Sequence, residues 1–303
     1  MDNLYDIESP GNDPASYAST ARGYSPKLSD AGLDPARETP VWDQTGQQSM
    51  TLAAVEVPLT IRIAEQEIVT LMTMGIRPEH LVLGYLRNQR LVDHIHSIES
   101  IEVDWDHEVA DVQLRHGFDL ESLQDDARHK IVTTGCGQGT IYSCSLDKLY
   151  DRRLQPGKIR QSEIYASLKQ ASRINQVYRK TGSVHGCALF SDSILLTSAE
   201  DVGRHNAMDT IAGELWLNPS QDKRLLFYTT GRLTSEIVMK AASMEIPVLV
   251  SRNGVTQMAI ELAEDLGVML VARAKSRHFQ VFSCHEYLVY DAIPNQSNVR
   301  QKQ

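Results

Sequence analysis

From Val55 to Ile63 the apolar residues Val55, Val57, Leu59, Ile61 and Ile63 alternate with polar ones, which predicts a strand with one buried face. Pro58 cannot donate to a ladder, so the strand is expected at a sheet edge. A short helix is expected from Pro78, because a missing N–H is harmless in a first turn. Ile98–Trp105 and Val109–Leu114 alternate again around the charged turn Asp106–Glu108 and predict a hairpin. From Ser162 to Tyr178 the residues Ile164, Leu168, Ala171, Ile174 and Val177 recur at helical spacing, with Ser162 as N-cap and Gly182 near the stop.

The rhythm then changes. Apolar runs at Ile194–Thr197, Leu225–Tyr228, Pro247–Val250 and Val268–Val271 alternate with helical segments near 204–213, 234–244 and 256–266. Thr234 or Ser235, and Thr256, stand where N-caps belong, and Gly267 follows the last helix as a C′ residue. Strand–helix–strand alternation with short connections predicts an α/β domain whose largely parallel sheet is covered on both faces. In such folds ligands sit beyond the carboxyl ends of strands, so the polar clusters directly after strands carry the most information.

Composition adds boundaries. Residues 1–48 hold eight acidic residues (Asp2, Asp6, Glu8, Asp13, Asp30, Asp34, Glu38, Asp43) against Arg22, Lys27 and Arg37, and five of the eleven prolines. With no sustained apolar period, this stretch reads as a disordered acidic, proline-rich tail. A smaller α+β part is expected over 49–150, an α/β cofactor-binding domain over 151–291, and a second disordered tail over 292–303. The net charge of −9 over 303 residues excludes a generally basic nucleic-acid binder but leaves room for a local basic site. No apolar run has the length of a membrane span, and no membrane partner is expected. Four irregularly spaced cysteines point to a reducing cytoplasm rather than a disulfide scaffold.

The chemistry concentrates at a few junctions. Thr134-Gly135-Cys136-Gly137-Gln138-Gly139 is a glycine-rich loop that gives a ligand or a partner's sulfur close access to a thiol. The alternative is an inert cysteine in a tight turn; Cys144, Cys187 and Cys284 lack such a loop and read as packing residues. Thr181-Gly182-Ser183-Val184-His185 follows the long helix. Glu200-Asp201-Val202-Gly203-Arg204-His205-Asn206 and Thr230-Gly231-Arg232-Leu233-Thr234 each follow a strand and open a helix. Arginine beside free N–H groups at a helix start suits an oxyanion. A local salt bridge with N-capping by Asp201, and a hydrogen-bonded structural His185, are the competing readings. Arg273-Ala274-Lys275-Ser276-Arg277-His278 packs three firmly basic residues and a histidine into six positions after a strand, either an anion site or a solvated turn. C-x-x-C, H-E-x-x-H and the zinc deaminase pattern are absent, so no metal site is expected.

These clusters together resemble the formate dehydrogenase accessory sulfurtransferase family (FdhD) over about residues 55 to 285. The likeness rests on Thr134-Gly135-Cys136-Gly137, Thr181-Gly182 with His185, Glu200 to Ala207 with Asp209, Gly231-Arg232 with Glu236 and Lys240, and the last basic segment. It implies an α/β fold layered like cytidine deaminases without their zinc, and a cytoplasmic homodimer. It also implies a role: sulfur is taken from a cysteine desulfurase as a Cys136 persulfide and passed to the molybdenum cofactor before insertion into formate dehydrogenase. Arg273 to His278 matches the segment that binds the bis(molybdopterin guanine dinucleotide) form of that cofactor. His185, Arg204, His205 and Arg232 are the further candidates around it.

Two departures stand out. Many members carry C-x-x-C where this chain has Cys136 and Gly139, so a neighbouring thiol is missing unless Cys144 reaches. The basic segment also lacks the family's opening aromatic and its closing glycine and arginine. A cofactor-binding chaperone without sulfur chemistry is therefore the alternative function, and a zinc hydrolase on the same scaffold a third reading.

Overall fold

The computed structural model describes residues 24–115, 153–222 and 224–293. It is a mixed α/β structure built on two main sheets. The first contains β1 (Lys27–Leu28), β4 (Val57–Ile63), β5 (Gln66–Thr73), β6 (Ile98–Asp104) and β7 (Val109–Leu114), in the order β1-β6-β7-β4-β5. Helix α1 (Pro78–Asn88) covers it, starting at the expected proline. Leu81, Leu83 and Leu86 of α1 share a core with Leu59, Ile61, Ile63, Ile98 and Ile101. Each such side chain contributes about 1.5–3 kcal/mol when fully buried.

The expected β6–β7 hairpin is present. The edge position expected for β4 is not, because β4 pairs with both β5 and β7. Pro58 is accommodated because the β7 ladder begins only at Thr60, so on that side no partner is lost.

Residues 24–48 are a second correction, since their composition placed them in the disordered tail. They hold β1 and the first strand of a hairpin, β2 (Ala36–Trp42) with β3 (Gln48–Ala54). The hairpin is mostly exposed, so burial left little apolar period to read. Local bonds make its turn: the Asp43 carboxylate accepts from the Thr45 N–H at 2.8 Å and the Gln47 N–H at 3.0 Å. Upstream, buried Glu79 accepts from the Ser29 hydroxyl at 2.6 Å and the Ala31 N–H at 2.8 Å.

The larger sheet has the order β10-β9-β11-β12-β13-β14. Its strands are β9 (His185–Ser191), β10 (Ile194–Asp201), β11 (Leu225–Thr229), β12 (Val248–Ser251), β13 (Met269–Lys275) and β14 (His278–Val281). β11, β12 and β13 are parallel; β9 is antiparallel to both its neighbours, and β14 to β13. One face carries α4 (Arg204–Leu217), α5 (Ser235–Ser243) and α6 (Gln257–Leu266). The other carries α2 (Gln161–Ile174) and a small ladder of β8 (Ile159–Arg160) with β15 (Leu288–Val289).

The helix expected from Ser162 to Tyr178 is two helices, α2 and α3 (Gln176–Thr181), separated at Asn175. Arg160, not Ser162, holds the N-cap position of α2. Ser162 instead gives its N–H and hydroxyl to Asp291 at 2.9 and 2.6 Å, tying the chain's last described turn to α2. Gly182 ends α3 and Gly267 ends α6, both left-handed as C′ glycines should be.

The two sheets are joined by a crossing of α1 and α4 made of backbone. A Cβ on Gly84 would collide with the Asp209 carbonyl, and one on Gly213 with the His80 carbonyl. Arg77 reinforces the crossing by donating to the Ser198 carbonyl at 2.5 Å. Because backbone on the facing helix cannot yield, Gly84→Ala is expected to destabilise by about 3 kcal/mol. A melting temperature about 6–12 °C lower in thermal unfolding is the measurable result.

Candidate functional site

Parallel strands that leave a sheet on the same edge deliver their following loops to one place. Here Thr229 is in register with Ser251, and Val250 with Val271, so the loops after β11, β12 and β13 emerge side by side. The antiparallel β9 brings its first residue, His185, to the same edge, opposite Asp201 at the end of β10. At roughly 4.8 Å per strand, the edge from β10 to β13 spans about 19 Å.

On the face of α4 and α5, this edge gathers four of the predicted residues. Arg204 and His205 open α4 and are buried. Gly231 makes room for Arg204, since a Cβ there would lie 3.1 Å from the Arg204 Cβ and Cδ. His205 Nε2 lies 3.1 Å from Glu236 Oε2 at the start of α5. Burial holds the His205 pKa down, against the pull of Glu236. The His185 pKa is also held below its ordinary range, first by burial and then by the charges of Arg204, His205 and Arg232. His185 Nδ1 is 3.4 Å from the Thr230 hydroxyl, and Arg232 is exposed.

The basic hexapeptide is not a loop after a strand. It comprises the end of β13, a tight turn and the first residue of β14. Arg273 (φ 53°) lies within the register shift between Ala272 and Lys275. Ala274 alone is buried, in the core of the α2 face, while Arg273, Lys275, Ser276, Arg277 and His278 are exposed. Tyr165 of α2 donates to the Arg277 carbonyl at 3.2 Å, and its ring packs against Phe279. Hydrogen bonds fasten the neighbouring loops: Asn253 Nδ2 donates to the Thr230 carbonyl at 2.5 Å, and the Asn253 carbonyl accepts from the Arg273 N–H at 2.9 Å. The hexapeptide and the His185 group therefore share one stitched edge, three strands apart.

Other members of the motifs are braces. Glu200 accepts from the Val177 and Tyr178 N–H groups at 3.0 and 2.8 Å, capping the start of α3. Asp201 accepts from the Thr73 hydroxyl at 2.5 Å, the Met74 N–H, the Gly203 N–H and Asn206 Nδ2, fastening β5 to the start of α4. Burial raises its pKa even so. Lys240, 3% exposed, places Nζ 2.7 and 2.8 Å from the oxygens of Asp209, which is 0% exposed and also accepts from Asn88 at 2.7 Å. Lys240 thus supports the frame.

Cys136 and Cys144 lie outside the described residues. Cys187 is wholly buried and burial pushes its pKa up to about 12, and Cys284 is buried as well, so both pack as expected. Among the described residues no three His, Cys, Asp or Glu side chains converge as a metal site. None of the described helices is long and apolar enough to cross a membrane.

The sequence pattern did not register β9, because its seven residues follow a helix without alternating. It also passed over Arg252 and Asn253, although they stand directly after the apolar run 247–250, where the same junction rule applies.

Comparison with known proteins matches residues 54–289 to the model of the FdhD/NarQ family. A Sulfur carrier protein FdhD from Bacillus licheniformis is 29% identical over 241 residues, 78% of this chain and 90% of that protein. A protein of the same name from Bacillus subtilis is 28% identical over 229 residues, 75% and 87% of the two chains. The fold matches the crystal structure of a Desulfotalea psychrophila protein, proposed to be a formate dehydrogenase accessory protein, with a TM-score of 0.66 and 24% identity over 86% of this chain and 100% of that one.

Lys240→Met strands the Asp209 carboxylate in the interior, and chemical denaturation should show a loss of about 3–5 kcal/mol. His205 has a second consequence. Its folded pKa is depressed, so its contribution is present above the unfolded value near 6.5 and is lost as pH falls below it. The denaturant midpoint should drop on acidification through that range, and less steeply in His205→Gln.

Proposed function

The chain belongs to the FdhD/NarQ family, and from that footing we propose that it is a sulfur carrier in the maturation of formate dehydrogenase. The names of its relatives support the carrier role. The observation that carries the reading is the line of basic side chains along the carboxyl edge of the larger sheet: Arg204 and Arg232 with His185 at one end, Arg273 to His278 at the other. A ligand bearing several phosphates matches such a line in charge. The client is a molybdenum cofactor in its bis(molybdopterin guanine dinucleotide) form, handled as substrate.

In this scheme the Cys136 thiolate attacks the terminal sulfur of a cysteine desulfurase persulfide. The new S–S bond forms on Cys136 as the desulfurase thiolate leaves, so loading is redox-neutral. Handing the terminal sulfur on as sulfide consumes two electrons, for which a thiol reductant is the co-reactant, and returns Cys136 as thiolate. The residues at the edge hold the client meanwhile. Arg204 is fixed against Gly231, and Arg232 and the hairpin supply exposed cations. His185, whose pKa burial and the neighbouring charges hold down in the free protein, gains affinity for a proton when an anion offsets those charges. A homodimer in the cytoplasm, with the layering of cytidine deaminases but no zinc, completes the proposal.

The Gly139 in place of a second cysteine favours a rival, a chaperone that binds the cofactor without sulfur chemistry. Incubation with cysteine and a desulfurase should add one sulfur atom to the intact mass of the wild type and none to Cys136→Ala. A Cys136→Ala protein that loads and transfers sulfur equally well overturns the carrier reading. In cells lacking the native accessory protein, Cys136→Ala should fail to restore formate dehydrogenase activity, and full rescue would favour the chaperone.

A further inference from the structure

β10 ends the larger sheet, and its outer edge borders a cavity of about 170 Å³ beside the start of α1. Ser198, Ala199, Glu200 and Asp201 all line it, although alternate residues of a strand face opposite sides. The cavity therefore runs along the edge of β10 and not over one face of the sheet. Backbone pairing agrees. Gly186, opposite Glu200 on β9, donates to the Thr230 hydroxyl at 3.0 Å and accepts from the Thr230 N–H at 2.9 Å. The main-chain N–H and carbonyl of Glu200 thus turn outward, away from β9, as the Ser198 carbonyl does toward Arg77. Around this edge Arg77 brings one guanidinium, Glu200 and Asp201 two carboxylates, and Ile76, Leu81 and Ile174 an apolar wall.

We propose that this cavity binds a free α-amino acid with a small apolar side chain, its carboxylate on Arg77, its ammonium on Glu200 and Asp201, and its side chain against Ile76, Leu81 and Ile174. None of these groups belongs to the line of basic side chains, so the site stands apart from the sulfur-carrier reading. Size fits the class: a cavity of ~150 Å³ accepts benzene, and amino acids from alanine to valine likewise have about six to eight non-hydrogen atoms. Charge selects it. The Arg77 side chain is 28% exposed, and two of its five donors are engaged, by the Ser198 carbonyl at 2.5 Å and by Glu214 at 3.4 Å. Among the described residues Asp201 takes its hydrogen bonds from Thr73, Met74, Gly203 and Asn206, and Glu200 from two backbone N–H groups, all of them neutral. A cation alone leaves the open Arg77 donors unmet, and an anion alone lies against two carboxylates; a zwitterion answers both. The frame is also set in advance, since Arg77 is held by β10 and α4, and Asp201 by β5 and α4, so little reorganisation opposes binding.

The test is an NMR titration of the full chain with L-valine and, separately, with 3-methylbutanoate, which lacks the ammonium, and isobutylamine, which lacks the carboxylate. L-Valine should bind saturably and each analogue about tenfold more weakly, because each loses a charge-assisted contact. Arg77→Gln should weaken L-valine about tenfold without weakening isobutylamine. Glu200→Gln should weaken L-valine about fivefold without weakening 3-methylbutanoate, since Asp201 still faces the ammonium. Failure of L-valine to saturate overturns the proposal, as does an analogue that binds as tightly as L-valine or a Glu200→Gln protein with unchanged L-valine affinity. Arg77 also braces the helix crossing, so the two analogues and Glu200→Gln decide the matter even if Arg77→Gln fails to fold. Amino-acid binding and persulfide loading on Cys136 are read separately, so either reading can fail while the other stands.

Discussion

Asp209 has no exposed surface, and three helices meet on it. Lys240 of α5 takes its carboxylate with two contacts, and Asn88 of α1 takes one more. Its own carbonyl is what lies against Gly84. A buried carboxylate without partners is strongly unfavourable, so the charge forces these helices into one arrangement. Since α4 begins with Arg204 and His205, the same arrangement determines where these two basic side chains of the edge stand. The smaller sheet thus reaches the site without supplying a side chain to the cation line: it clamps the helix on which part of that line is mounted. Asp201 does the corresponding work one turn earlier, through Thr73 and Met74.

Legibility along the chain followed burial. The β6–β7 hairpin and α1 from Pro78 were readable because each commits a face to a core and that face imprints a period, whereas β11, β12 and β13, buried on both faces, were readable as continuous apolar runs. Three features were not. β9 is also buried on both faces along most of its length, but His185, Gly186, Cys187 and Ala188 leave it without the continuous run of large apolar residues that marks β11 and β12. The β2–β3 hairpin has almost no buried face, and side-chain-to-backbone bonds in its turn do what apolar contacts do elsewhere. The break at Asn175 leaves the apolar spacing of α2 and α3 nearly continuous, so periodicity ran across it.

For the site, the junction rule pointed to loops that the structure brings to one edge, because parallel strands leave little choice about where loops emerge. It did not distinguish exposed residues from buried supports, since Arg204, Asp209, Arg232 and Lys240 are all charged residues near strand ends. Depth separates them: Lys240 meets its counter-charge in the interior, while Arg232 and the hairpin meet solvent.

The register shift at Arg273 bears on how this edge changes over evolutionary time. Of the six residues in the hairpin segment, Ala274 alone is set into the core; the other five project from a turn whose shape is made by backbone. Such a segment can be rewritten without refolding the domain. The braces at Asp201, Asp209 and Lys240, by contrast, are buried and bonded to several elements at once. Selection for a different client would therefore be recorded first in the hairpin, and relatives sharing one scaffold would be told apart by those five letters.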